Sequence, residues 1–247
     1  MAMGYQIIGL PTESEIGVIL PTFGEAENIA NIIEDIEQLN LSTQILVIDD
    51  SSPDGTADIV KEKQKKYPNL LLLNRPRKSG LGTAITDGFR IYLSAQNPPK
   101  YVFTMDADYS HNPQDIPRLL QTMRECQCAI VIGSRYSDGG QIEGWPVTRK
   151  IVSKTANAIA RTLLGLKLKD CTAGFRCYST AFLKEAISSL HSTTYEIQIE
   201  TVRQASLRDL QVKETPVLFV NRKQGKSKLS FGEFKSFLTY TIKAVWR

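Results

Sequence analysis

Five short apolar runs mark the first half of the chain: Ile16–Leu20, Ile45–Ile48, Leu70–Leu73, Tyr101–Met105 and Ala129–Ile132. Continuous runs of this kind suit strands buried on both faces of a parallel sheet. Between them lie helical patterns. Glu25–Leu39 repeats Ile29, Ile32, Ile33 and Ile36 at helical spacing, and Thr56–Lys66 reads as an amphipathic, basic helix. Leu81–Ala95 and Pro113–Cys126 complete an alternation of strand and helix. Such alternation implies an α/β fold with a mostly parallel central sheet flanked by helices.

The second half is less regular. Arg149–Leu164 and Tyr195–Leu207 are expected to be helices, and Gly174–Tyr178 and Val212–Val220 strands. A last helix is expected over Phe231–Trp246, with Phe234, Leu238, Ile242 and Val245 on one face. A basic loop around Gly225 precedes it. Without repeats or an obvious linker, residues 1–247 read as a single domain, regular over about 14–135 and less so over about 136–247.

Ligands of doubly wound sheets sit beyond the carboxyl ends of the strands. Here those ends run into Pro-Thr-Phe-Gly-Glu after Leu20, Asp-Asp-Ser-Ser-Pro-Asp-Gly after Ile48, Asp-Ala-Asp after Met105 and Gly-Ser-Arg-Tyr after Ile132. In an extended segment, residues two apart point the same way. Asp106 and Asp108 can therefore face one spot, where two carboxylates repel each other unless a cation lies between them. Hard oxygen ligands suit Mg²⁺ or Mn²⁺, which in turn hold substrate phosphates. Of the acidic residues after Ile48, Asp50 is expected to bind a base or ribose, and Asp54 to cap the following helix.

The first strand is not followed by G-x-G-x-x-G, which argues against a dinucleotide-binding turn. Gly80-Leu-Gly82 reads as a tight turn. Arg135, Arg149, Lys150, Lys154, Arg222, Lys223, Lys226 and Lys228 are candidate phosphate binders. No nucleophilic triad is apparent, and His111 reads as a loop or capping residue. Helix Arg149–Leu164 carries Ile151, Val152, Ile159 and Leu163 among basic residues, a pattern that suits the core or a lipid interface.

The net charge of +4 fits an anionic ligand or membrane surface and is too small to argue for nucleic acid. Cys126, Cys128, Cys171 and Cys177 have no standard zinc spacing and are expected to be free thiols in a reducing compartment. No window reaches the roughly 18 apolar residues of a membrane span. A cytoplasmic protein that meets membrane only at its surface is expected.

The segments LPTFGEAENI, VIDDSSPDGTAD, SGLGTAITDGF, MDADYSHNP, IGSRY, RKIVSK, DCTAGFR and RKQGKSK, in that order, resemble family-2 glycosyltransferases of the GT-A (Rossmann-like) fold. Within that family they are most similar to the dolichol-phosphate or polyprenol-phosphate mannosyltransferases. The resemblance implies metal-dependent, inverting transfer of mannose from GDP-mannose to a polyprenyl phosphate, with a UDP-glucose-dependent glucosyltransferase as the alternative. It implies a nucleotide-binding half at about 14–135 and an acceptor-binding half at about 136–247, with nucleotide-sugar contacts from Pro21, Phe23, Glu25, Ile48, Asp50, Asp106, Ala107, Asp108, Arg222 and Lys228. Metal would be held by Asp106, Asp108 and Ser110, although many relatives carry Gln where this chain has Ser110. Relatives also often have Tyr-Asn in place of Phe23-Gly24. Acceptor phosphate would meet Arg135, Arg149 and Ser153, and Asp108 and Arg135 would carry the catalysis. The implied setting is the cytoplasmic face of a membrane, with docking by an amphipathic helix or by an anchoring subunit.

Overall fold

The computed structural model describes residues 6–221 and 239–241. An eight-stranded sheet runs through both halves of the chain. Its parallel strands are β2 (Ile16–Thr22), β3 (Thr43–Asp49), β4 (Leu70–Asn74), β5 (Tyr101–Thr104), β6 (Ile130–Ser134) and β9 (Val212–Pro216). Two antiparallel strands join them: β1 (Gln6–Ile8) at one edge, and β8 (Arg176–Ser179) between β5 and β6. The order β1-β4-β3-β2-β5-β8-β6-β9 places a strand of the second half inside the sheet of the first.

Alternate residues of the strands feed two separate cores. On one face Val18, Leu20, Ile45 and Val47 meet α1 (Ile29–Glu37), α2 (Thr56–Gln64) and α4 (Ile116–Cys126). On the other, Ile19, Leu46 and Ile48 meet α3 (Leu81–Ser94), α5 (Val147–Leu164), α6 (Thr180–Ala186) and α7 (Ile197–Ser206). Burial on both faces explains why these strands read as unbroken apolar runs. The fully buried stripe Ile29, Ile32, Ile33 and Ile36 is the one expected of α1.

Several boundaries differ from expectation for local reasons. α1 begins at Ile29 because residues 25–28 form a turn, in which the Asn28 N–H donates to the Glu25 carbonyl at 3.0 Å. The run expected as one strand over Val212–Val220 is broken after Pro216. β9 pairs with β6, whereas β10 (Leu218–Val220) pairs with β7 (Gln141–Glu143) in a separate two-stranded sheet. β7 and α6 have no counterpart in the sequence reading. Most of Phe231–Trp246 lies outside the described residues; Thr239–Thr241 are helical.

The cysteine expectation needs correction. Cys126 and Cys128 form a disulfide, while Cys171 and Cys177 are free and buried. Gln127, with φ +50°, turns the chain at the end of α4 so that the two Cα atoms lie 5.1 Å apart, within bridging range.

Candidate active site

The ends of β2, β3 and β5 open into one cleft. Pro21, Phe23 and Glu25 line it from the first strand's loop, Ile48 and Asp50 from the second, and Asp106, Ala107 and Asp108 from the third. Every described residue that the resemblance assigned to the nucleotide sugar is therefore in the same wall. Arg222 and Lys228 lie outside the described residues.

The acidic residues after Ile48 divide their work. Asp49 is fully buried and accepts from the Thr22 hydroxyl at 2.9 Å and the Ser52 hydroxyl at 2.5 Å, so it ties two loops together. Asp50 faces the cleft. Its carboxylate takes the Nε–H of the fully buried Arg75 at 2.5 Å and the Ser79 N–H at 3.1 Å. A carboxylate offers about four lone-pair sites, so it keeps capacity for a ligand. Burial alone would lower the pKa of Arg75, but Asp50 and Asp87 outweigh it and raise it. Asp54 accepts from the Thr56 and Ala26 N–H groups, bracing α2 against the first loop. The cap position itself belongs to Gly55, at φ +88°.

The Asp-Ala-Asp segment owes its convergence to a loop, not to strand geometry, because β5 stops at Thr104. Past that point the chain turns through Tyr109 at φ +60°, a rare conformation for an aromatic residue. The Tyr109 hydroxyl donates to Asp35 of α1 at 2.7 Å, and the Ser110 N–H donates to Asp108 Oδ1 at 3.0 Å. His111 is not a cap; Asn112 has that role, accepting from the Gln114 N–H. His111 is buried beside Phe175 and Phe219, and its Nδ1 accepts the Asp106 N–H at 3.0 Å.

These residues fit a divalent cation. Two carboxylates line the cleft, and the buried Ser110 hydroxyl has no hydrogen-bond partner among the described residues. Among the described residues no group of three or more His, Cys, Asp or Glu side chains forms a closed metal cluster. An open ligand shell suits Mg²⁺ or Mn²⁺, which take up substrate phosphates and water.

Gly80 and Gly82 permit a close backbone approach. A Cβ on Gly80 would lie 2.3 Å from the Thr193 carbonyl oxygen, and one on Gly82 would lie 2.5 Å from that of Ser192. The 192–195 segment thus rests directly on the start of α3 and brings Thr194 and Tyr195 into the cleft wall. Lys78 joins the same wall with its ammonium 4.4 Å from the Phe23 ring centroid. None of these three wall residues stands in a sequence pattern that marks it; the paired glycines were the available signal.

The predicted acceptor residues gather beside this cleft. Arg135 follows β6 and is buried. Its Nε and Nη2 donate to Asp170 at 2.7 Å each, and Nη2 also reaches Thr172 at 2.8 Å. Among the described residues no hydrogen bond uses Nη1. Burial would push the Asp170 carboxyl up, but Arg135 outweighs it and holds it below the usual carboxylate range. Asp106 also contributes to the raised pKa of Arg135, so that guanidinium lies within electrostatic reach of the acidic pair. Arg149, near the start of α5, donates to Asn221 at 3.0 Å and lies over the Trp145 ring. Ser153 is one turn further along, and its carbonyl accepts from Asn157, which also bonds Thr172 beside Arg135. The sequence reading did not single out Trp145, Asp170 or Asn221.

Comparison with known proteins gives the family and the fold. The glycosyl transferase family 2 model matches residues 17–187. The chain is 35% identical over 215 residues to the undecaprenyl-phosphate mannosyltransferase of Micrococcus luteus, covering 87% of each. It is 37% identical over 222 residues to the polyprenol monophosphomannose synthase of Mycolicibacterium smegmatis, covering 89% of this chain and 82% of that one. Among solved structures, glucosyl-3-phosphoglycerate synthase from Mycobacterium tuberculosis, in complex with Mn²⁺, UDP and glucosyl-3-phosphoglycerate, superposes with a TM-score of 0.65 at 19% identity. That match covers 94% of this chain and 80% of the other. The mannosyltransferase PcManGT from Pyrobaculum calidifontis, in complex with GDP-Man and Mn²⁺, gives 0.63 at 14% identity, covering 98% and 68%. The fold is that of GT-A enzymes, and the family match extends over most of the chain and both acidic strand ends: the chain belongs to glycosyl transferase family 2.

Proposed function

We propose that this glycosyltransferase moves mannose from GDP-mannose to a polyprenyl phosphate, inverting the anomeric centre to give a polyprenyl β-mannosyl phosphate. What carries the reading is the cleft that joins Asp50, Asp106 and Asp108 in a chain whose curated relatives are named as polyprenyl-phosphate mannosyltransferases. In this reading Pro21, Phe23, Glu25, Ile48 and Asp50 hold the nucleoside. Asp106, Asp108 and Ser110 hold Mg²⁺ or Mn²⁺, which supplies Lewis-acid stabilisation of the departing diphosphate.

The acceptor needs little activation. A phosphate monoester has its second pKa near 6 and is largely a dianion at neutral pH. No general base is then required, in keeping with a site whose nearest histidine already has Nδ1 occupied by a backbone N–H. The protein's task is to bring two anions together. Arg135 is held in place by Asp170 through Nε and Nη2, which leaves Nη1 to donate to substrate, while Arg149 adds positive charge one helical turn before Ser153. Preorganised donors of this kind cost no reorganisation during the reaction.

A polyprenyl acceptor demands a membrane surface, and α5 suits one. No helix among the described residues is long and apolar enough to cross a bilayer. Yet Val147, Ile151 and Val152 of α5 are 72%, 59% and 52% exposed, and the helix carries Arg149, Lys150, Lys154 and Arg161 with no acidic residue. Exposed apolar residues flanked by lysines fit an anionic lipid interface.

The test is a panel of labelled nucleotide sugars with farnesyl phosphate as acceptor, with Mn²⁺, Mg²⁺ or EDTA. GDP-mannose should be the donor used, with transfer lost in EDTA and in Asp108→Asn. Transfer from UDP-glucose alone would replace the donor assignment, and full activity of Asp108→Asn in EDTA would refute the metal site.

A further inference from the structure

Trp145 is an aromatic ring shared by the two arginines assigned to the acceptor phosphate. The Arg149 guanidinium carbon lies 4.0 Å from its ring centroid and that of Arg135 5.3 Å from it. The two guanidinium groups therefore flank one ring and can be no farther apart than those distances laid end to end. Two cations held so near each other repel, and both favour the negative face of an indole. Phe219 meets the same ring edge-on at 5.1 Å, fixing its plane, and also lies near Arg135.

The choice of indole is informative. Trp145 is 8% exposed, and its Nε1–H has no hydrogen-bond partner among the described residues. A buried donor left unpaired is a cost that phenylalanine would avoid at the same place. Packing alone therefore does not explain the residue. The property that tryptophan adds is the strongest cation-binding face of the aromatic side chains.

We propose that Trp145 is a positioning residue for the acceptor phosphate, a π platform that holds the Arg135 and Arg149 guanidinium groups at a spacing set for one phosphate group. The proposal rests on the acceptor assignment of those two arginines. Trp145 itself need not touch the phosphate; its effect passes through the arginines.

The experiment measures KM for farnesyl phosphate, KM for GDP-mannose, kcat and thermal midpoint in Trp145→Leu, Trp145→Phe and Arg149→Ala. Trp145→Leu replaces the ring with a smaller apolar side chain and should raise the acceptor KM about tenfold, with the donor KM within about twofold. Trp145→Phe keeps a weaker π face and should restore most of the loss, to within about threefold of wild type. An unchanged acceptor KM in Trp145→Leu would overturn the proposal if Arg149→Ala still raises it. So would an equal rise in both KM values with a lowered thermal midpoint, or a Phe variant as poor as the Leu variant. If Arg149→Ala also leaves the acceptor KM unchanged, the acceptor assignment fails, and the proposal fails with it.

Discussion

Substituting Gly82 by alanine sets two well-known effects against each other. Gly82 is the second residue of α3, where alanine in place of glycine ordinarily stabilises a helix by about 0.5–1 kcal/mol. The added Cβ, however, would meet the Ser192 carbonyl oxygen at 2.5 Å and that of Thr194 at 2.8 Å. Both obstacles are backbone, and contacts under 3.0 Å essentially do not occur. To reach even 3.0 Å from 2.5 Å, the 192–194 segment must retreat by at least about 0.5 Å. Overpacking of this kind costs about 1–3 kcal/mol. The Gly82 N–H also donates to the Thr193 carbonyl at 3.0 Å, and straining that bond adds about 0.5–1.5 kcal/mol. The clash outweighs the helix gain, for a net loss of about 2 kcal/mol.

For a chain of this size the loss corresponds to a thermal midpoint lower by roughly 4–8 °C. Because Thr194 and Tyr195 line the cleft, GDP binding should weaken as well. A deficit worth one hydrogen bond, about 1 kcal/mol, is about fivefold in Kd. Gly88→Ala on the same helix is the control. There the new Cβ meets the Ile19 and Ile48 side-chain ends at 2.7 Å and 3.0 Å, which can rotate away, so the net change should stay within about 1 kcal/mol. Calorimetric unfolding with titration of GDP and Mn²⁺ reads both quantities. A Gly82→Ala protein with an unchanged or raised midpoint and unchanged GDP affinity would refute the close-approach argument.

Asp170→Asn leaves Arg135 buried without its carboxylate and should cost about 3 kcal/mol in urea unfolding at neutral pH. Since the folded Asp170 carboxyl lies below its unfolded value near 3.9, its contribution is whole at neutral pH. It falls away only as pH drops through the folded value, so the variant should lose that part of the acid limb. Burial pushes the Cys171 thiol to about 12 and the Cys177 thiol well above its usual value. Iodoacetamide at pH 8 should therefore label neither in the native, unreduced protein and both after unfolding; a native adduct at either would contradict this burial. Ile151→Asp with Val152→Asp removes roughly 2 kcal/mol of apolar contact with lipid, about thirtyfold in partitioning. Co-sedimentation with anionic vesicles reads it, and undiminished binding would remove α5 as the docking face.

How far the sequence discloses the fold depends on the range of the interactions involved. Strands β2–β6 and helices α1–α4 are legible because each is set by a local apolar pattern close to its own turn. β7 is not, because Gln-Ile-Glu is mostly polar and is a strand only through β10, far along the chain. The cleft wall from Pro21, Asp50, Asp106 and Asp108 is legible for the same reason as the strands that carry it. Thr194 and Tyr195 are not, because a loop remote in sequence places them there against two glycines.

Charge is the property that sequence represents least faithfully. Counted along the chain, every arginine is equally available to an anion. In the fold, Arg75 is spent on Asp50 and Asp87, and Arg135 is bound along one edge by Asp170, 35 residues away. Arg176 is fully buried, and its guanidinium donates to the carbonyls of Cys171, Ala173 and Gln198 and to the Thr201 hydroxyl. An arginine with a carboxylate along one edge, as Arg135 has in Asp170, is a pointed donor whose pair carries little net charge. Arg135 should therefore serve the acceptor dianion more by orientation than by net attraction, a role set by the partner its guanidinium meets in the fold.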